Sequence, residues 1–168
     1  MQKHLFFILL LIMLAVACSP FSKEAMRQVN VVKPFGEIYK TPDYYLNNTV
    51  LWGGVIIETT NKKDETLIKV IQTELDMAKR PQELDISGGR FLIRYQGFLD
   101  PAIYEKGREI TIIGEIVGKE VIPLGEVQYT YPVILSKETY LWEKRSEFMY
   151  VSPPSWYYPF WCNRSPCW

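Results

Sequence analysis

The sequence predicts a mostly β fold, a small five-stranded Greek-key barrel of the OB type with short helical elements. Five β-rich runs are separated by polar segments that contain glycine or proline, and two of the runs carry interior glycines, where a barrel strand must bend. A short helical element between the third and fourth runs fits the same plan. A lipocalin-like barrel and a β-sandwich remain open as alternatives.

The first element is an export signal. Lys3 precedes an unbroken apolar run, Leu5 to Ala17, which is shorter than the roughly 20 residues that span a bilayer and is typical of a cleaved signal. Leu14 to Cys18 resembles the processing site of bacterial lipoproteins, in which the cysteine is lipidated and becomes the mature N-terminus. Ser19 after it resembles the outer-membrane sorting class. An ordinary secretory signal that is cut elsewhere is the alternative.

These signals divide the chain into four parts. Residues 1–17 are the predicted signal peptide, 18–33 a lipidated tether that reaches about 45 Å when extended, 34–148 the barrel domain and 149–168 an aromatic tail. Removal of the signal leaves about 150 residues, enough for one domain with a hydrophobic core. The predicted location is the periplasmic face of the cell outer membrane.

The first two strands form a predicted hairpin. Val50 to Thr60 is β-branched and apolar on both faces, as in a strand that crosses a closed barrel, and Gly53-Gly54 lies where a bulge or bend costs least. Residues 61–65 form a polar turn, and Thr66 to Leu75 returns as the second strand.

A half-buried strand and a capped turn follow. Arg90 to Gln96 alternates apolar and polar residues, with Leu92 as the exception. Phe98 to Glu105 contains aspartate before proline, Asp100-Pro101, which is typical of a capped helical turn.

The last two strands are separated by a predicted excursion. Glu109 to Val117 is β-branched and interrupted by Gly114, and Tyr131 to Trp142 supplies the fifth strand. Residues 119–130, which contain glycine and proline, are expected to leave the sheet.

Composition argues against nucleic-acid binding, imidazole-dependent catalysis and most metal sites. The chain has 19 basic and 19 acidic residues, so it lacks the basic field that drives nucleic-acid binding. Its one histidine, His4, lies in the predicted signal, which removes imidazole-dependent nucleophile systems and most zinc, copper and haem sites. We therefore expect no enzymatic activity, no metal and no cofactor apart from the covalent lipid on Cys18.

The tail, SWYYPFWCNRSPCW, combines cysteines with aromatic rings. In an oxidising periplasm Cys162 and Cys167 are expected to close a disulfide, worth about 2 kcal/mol for so small a loop. Tryptophan and tyrosine favour protein and membrane interfaces, so the tail is a candidate partner surface. The residues proposed for it are Trp156, Tyr157, Tyr158 and Trp161.

Several short blocks in a fixed order resemble the Slp family of starvation-inducible outer-membrane lipoproteins. The resemblance implies an OB-like barrel at the outer membrane, a loosely defined supporting role in the envelope under starvation or stress, and no catalytic residues. It leaves an envelope protein or a glycan as the expected partner. The blocks are Val50 to Gly54, Gly89 to Leu92, Gly97 to Tyr104, Gly107 to Glu109, Ile113-Gly114, Gly125-Glu126, Tyr129 to Pro132 and Leu141-Trp142.

A second hypothesis is a periplasmic module that binds a glycan or an anionic small molecule on Trp52, Arg90 and Arg94. Tryptophan offers a stacking face, and arginines on one strand face suit acidic ligands. The alternatives are that Trp52 fills the barrel and that the arginines form ion pairs with Glu109 and Glu115 on a neighbouring strand.

Overall fold

The computed structural model describes residues 19–82 and 85–145. Within these ranges the chain forms two short α-helices, one 3₁₀ helix and five β-strands. Their bounds are α1 Lys23–Gln28, α2 Phe35–Lys40, the 3₁₀ helix Pro42–Tyr45, β1 Thr49–Asn61, β2 Glu65–Thr73, β3 Ser87–Gln96, β4 Glu109–Leu124 and β5 Val127–Leu141.

The five strands close into a barrel in the order β1-β2-β3-β5-β4, and β4 pairs back onto β1. All pairs are antiparallel except β3 and β5, which run parallel through a short register from Leu92–Val133 to Arg94–Leu135. This order, with one parallel closure, confirms the predicted five-stranded OB-like barrel. It also excludes a sandwich, since the strands form one closed sheet.

The barrel interior is filled by side chains. β-Branched residues alternate inward along each strand, as the period of two requires, and most of the core is isoleucine or valine. Helix α2 supplies two further core residues. The core consists of Phe35, Ile38, Val50, Trp52, Ile56, Ile68, Val70, Phe91, Ile93, Leu99, Ile110, Ile112, Ile116 and Ile134.

The two ends of the barrel are closed differently. At one end Phe35 of α2 packs its ring 4.7 Å from that of Trp52. At the other, Leu99 is buried and its backbone N–H donates to Oγ1 of Thr66 over 3.0 Å. Buried side chains therefore lie at both ends of the described barrel.

The predicted helical element between β3 and β4 is a single capped turn. The Asp100 carboxylate accepts a hydrogen bond from the backbone N–H of Ala102 over 2.9 Å, which confirms the cap. Gly107, at a φ of 91°, lies in a second turn, which the Arg108 N–H closes by donating to the Glu105 carbonyl. The first turn closes after one set of bonds to the Asp100 carbonyl, so no helix forms there.

The prediction for residues 119–130 was wrong. These residues stay in the sheet as an extension of β4 and β5, which remain paired as far as Leu124 and Val127, and Gly125 at φ 64° forms the turn. β-Branched residues hold the strand, and Pro123 is tolerated because the extension lies beyond the barrel. The extension covers a further apolar cluster outside the barrel, formed by Leu92 of β3 with Tyr131 and Val133 of β5. Leu92 is buried in this cluster, which explains its departure from the apolar–polar alternation.

The predicted bulge at Gly53-Gly54 is also absent. The β1–β2 register shifts between Ile56 and Glu58. A Cβ on Gly54 would lie 1.8 Å from the carbonyl oxygen of Ile71 on β2. The glycine is thus required by close approach of two backbones.

Residues 19–33 were expected to be a tether, but in the structure they pack on the barrel. Phe21 and Ala25 are buried against Ile113 on the outer face of β4. Ser22 caps α1 by accepting from the backbone N–H of Ala25 over 3.1 Å. The Asn30 side chain then accepts from the N–H of Thr49 over 2.8 Å, which joins the segment to the start of β1.

Among the described residues, no helix has the length and apolar character needed to cross a bilayer.

Candidate functional site

Trp52 is a core residue and leaves little surface for a ligand. Its side chain is 6% exposed and packs between Phe35 and Phe91, at ring distances of 4.7 and 5.4 Å. The hypothesis that the indole is an open stacking face is therefore wrong, and the alternative that it fills the barrel is confirmed.

Arg94 forms ion pairs, but the expected partners are wrong. Its guanidinium lies 3.3 Å from Glu65 on β2 and 3.1 Å from Glu120 on the β4 extension. Glu109 and Glu115 were expected as partners on a strand next to β3. In the OB order β3 lies between β2 and β5, so these glutamates are out of reach.

The glutamates of β4 have other partners. Glu109 binds Arg80 at 2.6 Å and Arg145 at 2.7 Å, while Glu115 binds Lys137 at 3.1 Å. The charge on Arg94 is thus balanced by two carboxylates, so this side chain is not a free cation for an anionic polymer.

Arg90 lies beside an aromatic cluster. Its backbone N–H donates to the hydroxyl of Tyr129 over 3.0 Å. Tyr129 in turn packs 4.9 Å from Tyr131 and 5.6 Å from Tyr39. Burial, together with a hydrogen bond to Tyr39, raises the pKa of Tyr129 to about 12. The cluster joins α2 to the β4–β5 extension, so its role is structural.

An open groove runs over the outside of the barrel between the segment 26–36 and the connection from β2 to β3. Its volume is about 730 Å³, within the range of ligand and peptide sites. Its apolar lining comes from both sides. The apolar residues are Met26, Val29, Val31, Val32, Pro34, Phe35, Leu51, Trp52, Leu75 and Ile86.

The rim of the groove exposes apolar side chains to solvent. Val32 is 92% exposed and Ile86 77%, and both line the groove. Met77, on the β2–β3 connection next to the lining residue Asp76, is 95% exposed. Exposed apolar residues clustered around a concavity are typical of a protein contact surface.

The polar groups of the groove carry both signs of charge. Lys33 and Lys79 lie with Glu74 and Asp76 in its lining. Thr73 also lines it, and its buried Oγ1 has no hydrogen-bond partner in the part of the chain that the structure describes. A net-neutral apolar groove with one unsatisfied hydroxyl suits a polypeptide segment better than an acidic small molecule.

A second surface lies on the outer face of β4 and β5. The ring of Phe21 is 6.4 Å from Tyr140, which is 4.6 Å from Trp142. The guanidinium of Arg80 lies 5.5 Å from the Trp142 ring. We call Phe21, Tyr140 and Trp142 the aromatic row.

The remaining predicted site residues lie outside the described ranges. They are the lipidation candidate Cys18, the disulfide candidates Cys162 and Cys167, and the tail residues Trp156, Tyr157, Tyr158 and Trp161. Within the described residues, no group of three or more His, Cys, Asp or Glu side chains is arranged to hold a metal.

Sequence reasoning missed both surfaces. The groove depends on how residues 26–36 lie across the barrel, which periodicity does not report. Its one sequence signal was the presence of apolar residues, Val32 and Ile86, in segments assigned as tether and loop. For the aromatic row, the signal was Phe21 and Ala25 at helical spacing directly after the predicted anchor.

Comparison with known proteins gives a consistent result. The model of the outer membrane lipoprotein Slp family matches residues 15–168. The outer membrane protein Slp of Escherichia coli (strain K12) is 30% identical over 140 residues, which are 82% of this chain and 74% of that protein. The uncharacterized lipoprotein YeaY of the same strain is 25% identical over 125 residues, 72% of this chain and 63% of the relative.

An uncharacterized protein of Haemophilus influenzae is 30% identical over 103 residues, 61% of this chain and 56% of its own length. No solved structure shows significant similarity to the chain.

Proposed function

The chain belongs to the outer membrane lipoprotein Slp family, and from this premise we propose that it is a non-catalytic interaction protein of the envelope, held at the membrane by lipid on Cys18. The observation that carries the proposal is the contrast between a filled barrel interior and the open apolar groove outside it. Binding through the outer groove suits contact with another macromolecule. A role under starvation or stress, which the family resemblance implies, is part of the proposal.

The proposed partner is an apolar polypeptide segment of another envelope protein. The exposed side chains of Val32 and Ile86 offer apolar area for burial, worth roughly 25 cal/mol for each Å² removed from water. A glycan fits less well, because the aromatic residues of the groove lining, Phe35 and Trp52, are both buried and present no stacking face.

Lipidation of Cys18 has a direct test. Radiolabelled palmitate should label the wild-type protein in growing cells and fail to label Cys18→Ala, because the variant lacks the thiol to which the lipid is joined. Equal labelling of the two proteins, or no labelling of either, would contradict the anchor.

The groove is tested by photo-crosslinking in cells. A photoreactive amino acid at position 86 should give one discrete protein adduct, and the same residue at Lys69, on the outer face of β2, should not. Adding Val32→Asp should abolish the adduct, since a charge at this 92% exposed position disturbs the groove and not the core. An adduct that survives Val32→Asp, or one formed with lipid, would refute a protein partner in the groove.

A further inference from the structure

We infer that the aromatic row lies against the phospholipid headgroups of the membrane that holds the anchor, so that the barrel sits on the membrane with a defined face. The inference rests on the proposed lipidation of Cys18. It adds an orientation and a contact surface, which lipidation by itself does not supply.

The chain between the anchor and the barrel is very short. Phe21 is the third residue after Cys18, and an extended chain covers at most about 3.3–3.6 Å per residue, or roughly 11 Å over three steps. A free tether of residues 18–33 would have allowed about 45 Å. The lipid-bearing residue therefore stays close to the point where Phe21 meets the barrel.

Phe21 is fixed to the barrel by several contacts. Its side chain is 5% exposed and packs with Ile113 on β4. The next residue, Ser22, donates from its backbone N–H and its hydroxyl to the Glu138 carboxylate on β5, at 3.2 Å for each bond. The anchor is thus joined to one particular place on the outer face of β4 and β5.

The dimensions of a bilayer leave little room between this place and the lipid. A hydrocarbon core of about 30 Å within a total thickness of about 40–45 Å leaves roughly 5–8 Å of headgroup layer on each side. Acyl chains on Cys18 place that residue near the hydrocarbon boundary. A reach of roughly 11 Å then puts the surroundings of Phe21 at the headgroup layer.

The chemistry of the aromatic row suits that position. Tyrosine and tryptophan are enriched at membrane–water interfaces, because an apolar ring carries a polar tip. Tyr140 is 38% exposed, and the indole N–H of Trp142 donates to Oγ1 of Thr111 over 2.9 Å. The ring of Tyr140 is therefore available to lipid, and that of Trp142 is held in place beside it.

Two basic side chains near the row, Arg80 and Lys144, are already paired. Arg80 binds Glu109 at 2.6 Å and donates to the backbone carbonyl of Glu143 over 2.8 Å. Lys144 binds Glu105 at 2.6 Å. The contact is therefore aromatic in character, and we expect salt to weaken it little.

Site-directed spin labelling tests the orientation in the lipidated full-length mature protein. In a Cys162→Ser, Cys167→Ser background, one label is placed at Glu143→Cys, beside Trp142, and a second at Tyr140→Cys. The control label is at Lys69→Cys on β2, which lies across the barrel from β4. The protein is reconstituted into vesicles of phosphatidylethanolamine and phosphatidylglycerol.

The labels beside and within the row should be several-fold more accessible to dissolved oxygen, relative to a water-soluble nickel chelate, than the label at position 69. Similar ratios at all three positions would overturn the inference. Low accessibility to both reagents at 140 and 143 would also overturn it, because protein, such as the tail, would then cover the row.

Flotation of the same vesicles separates this inference from its premise. If the wild type floats with lipid and Cys18→Ala does not, the lipid anchor is supported. The accessibilities of the spin labels then test the orientation by themselves. If both proteins remain at the bottom, the lipid anchor itself has failed.

Discussion

At the residue scale, the barrel depends on places where a side chain has no room. An ideal Cβ at Gly54 would lie 1.8 Å from the Ile71 carbonyl oxygen, and one at Gly114 would lie 2.6 Å from that of Leu135. The clashing atoms belong to the backbone of a paired strand, so they cannot move aside alone. By contrast, a Cβ at Gly36, on the surface of α2, would meet nothing within 4 Å.

Gly54→Ala should therefore destabilise the protein by about 3 kcal/mol or more, at the upper end of overpacking effects. Gly36→Ala is the matched control and should be neutral or stabilising by up to about 1 kcal/mol, since alanine favours the helix. Urea unfolding of a soluble form that begins at Ser19 measures both. Equal free energies of unfolding for the two variants would show that β1 and β2 are farther apart than described.

Tyr129 should make stability depend on alkaline pH. The folded protein keeps the phenolic proton up to a pKa of about 12, whereas the unfolded chain loses it near 10. Below pH 10 the full stabilising contribution is present, and it is lost as the pH rises from 10 through 12, because the folded state binds more protons in that interval.

Tyr129→Phe should therefore lose stability less steeply than the wild type between these pH values, as measured by urea unfolding at a series of pH values. The control is Tyr44→Phe, which removes a tyrosine that is 86% exposed. A wild-type slope retained in Tyr129→Phe would show that the buried hydroxyl is not responsible.

At the element scale, the segments that form strands could be predicted, but the neighbours of each strand could not. Runs such as residues 50–60 and 90–96 predict strands because β-branched composition in the first and apolar–polar alternation in the second are local properties. The partners of Arg94 depend on which strands become neighbours, and a Greek-key order places β5, not β4, beside β3. The β4–β5 extension was missed for a related reason, since Pro123 argues against a strand only where its neighbours need its N–H.

Helix α1 lies in the segment that was predicted to be a tether and that packs on the barrel in the structure. With six residues it is too short to be stable alone, so its order comes from the contact of Phe21 and Ala25 with the barrel. Phe21→Ala should release it while the barrel stays folded.

Hydrogen exchange followed by mass spectrometry should show lost protection in residues 22–29 of this variant and retained protection in β1 to β5. Ser22→Ala removes the cap and should cost about 1 kcal/mol, with a smaller change in the same residues. Loss of protection throughout the barrel in Phe21→Ala would instead make α1 part of the folding core.

At the scale of the whole molecule, the topology could be predicted, because five strands with a turn between the third and fourth fit few closed arrangements. The two outer surfaces could not. The groove and the aromatic row both arise from chain that crosses the outside of the barrel, where residues distant in sequence meet. Together they describe a protein with a filled barrel, an aromatic row on one outer face and an open groove beside helix α1.

The aromatic tail is the last part of the chain to be placed in this arrangement. The second described range ends at Arg145, which donates to Glu109 over 2.7 Å and to the Pro81 carbonyl over 2.8 Å. The core of the described barrel is filled by its own side chains, and both of its ends are closed without the tail. Deleting residues 155–168 should therefore leave the free energy of unfolding within about 0.5 kcal/mol of the wild type, as for surface changes.

The same deletion should alter association with the membrane or the crosslinked adduct from position 86, because tryptophan and tyrosine favour interfaces. Vesicle flotation at increasing salt and crosslinking in cells measure the two effects. Cys162→Ser with Cys167→Ser is the matched control, since it removes the proposed disulfide and keeps every aromatic ring. A truncated protein that is unfolded would make the tail part of the core, and one that is folded with unchanged flotation and crosslinking would leave the aromatic rings without an interface role.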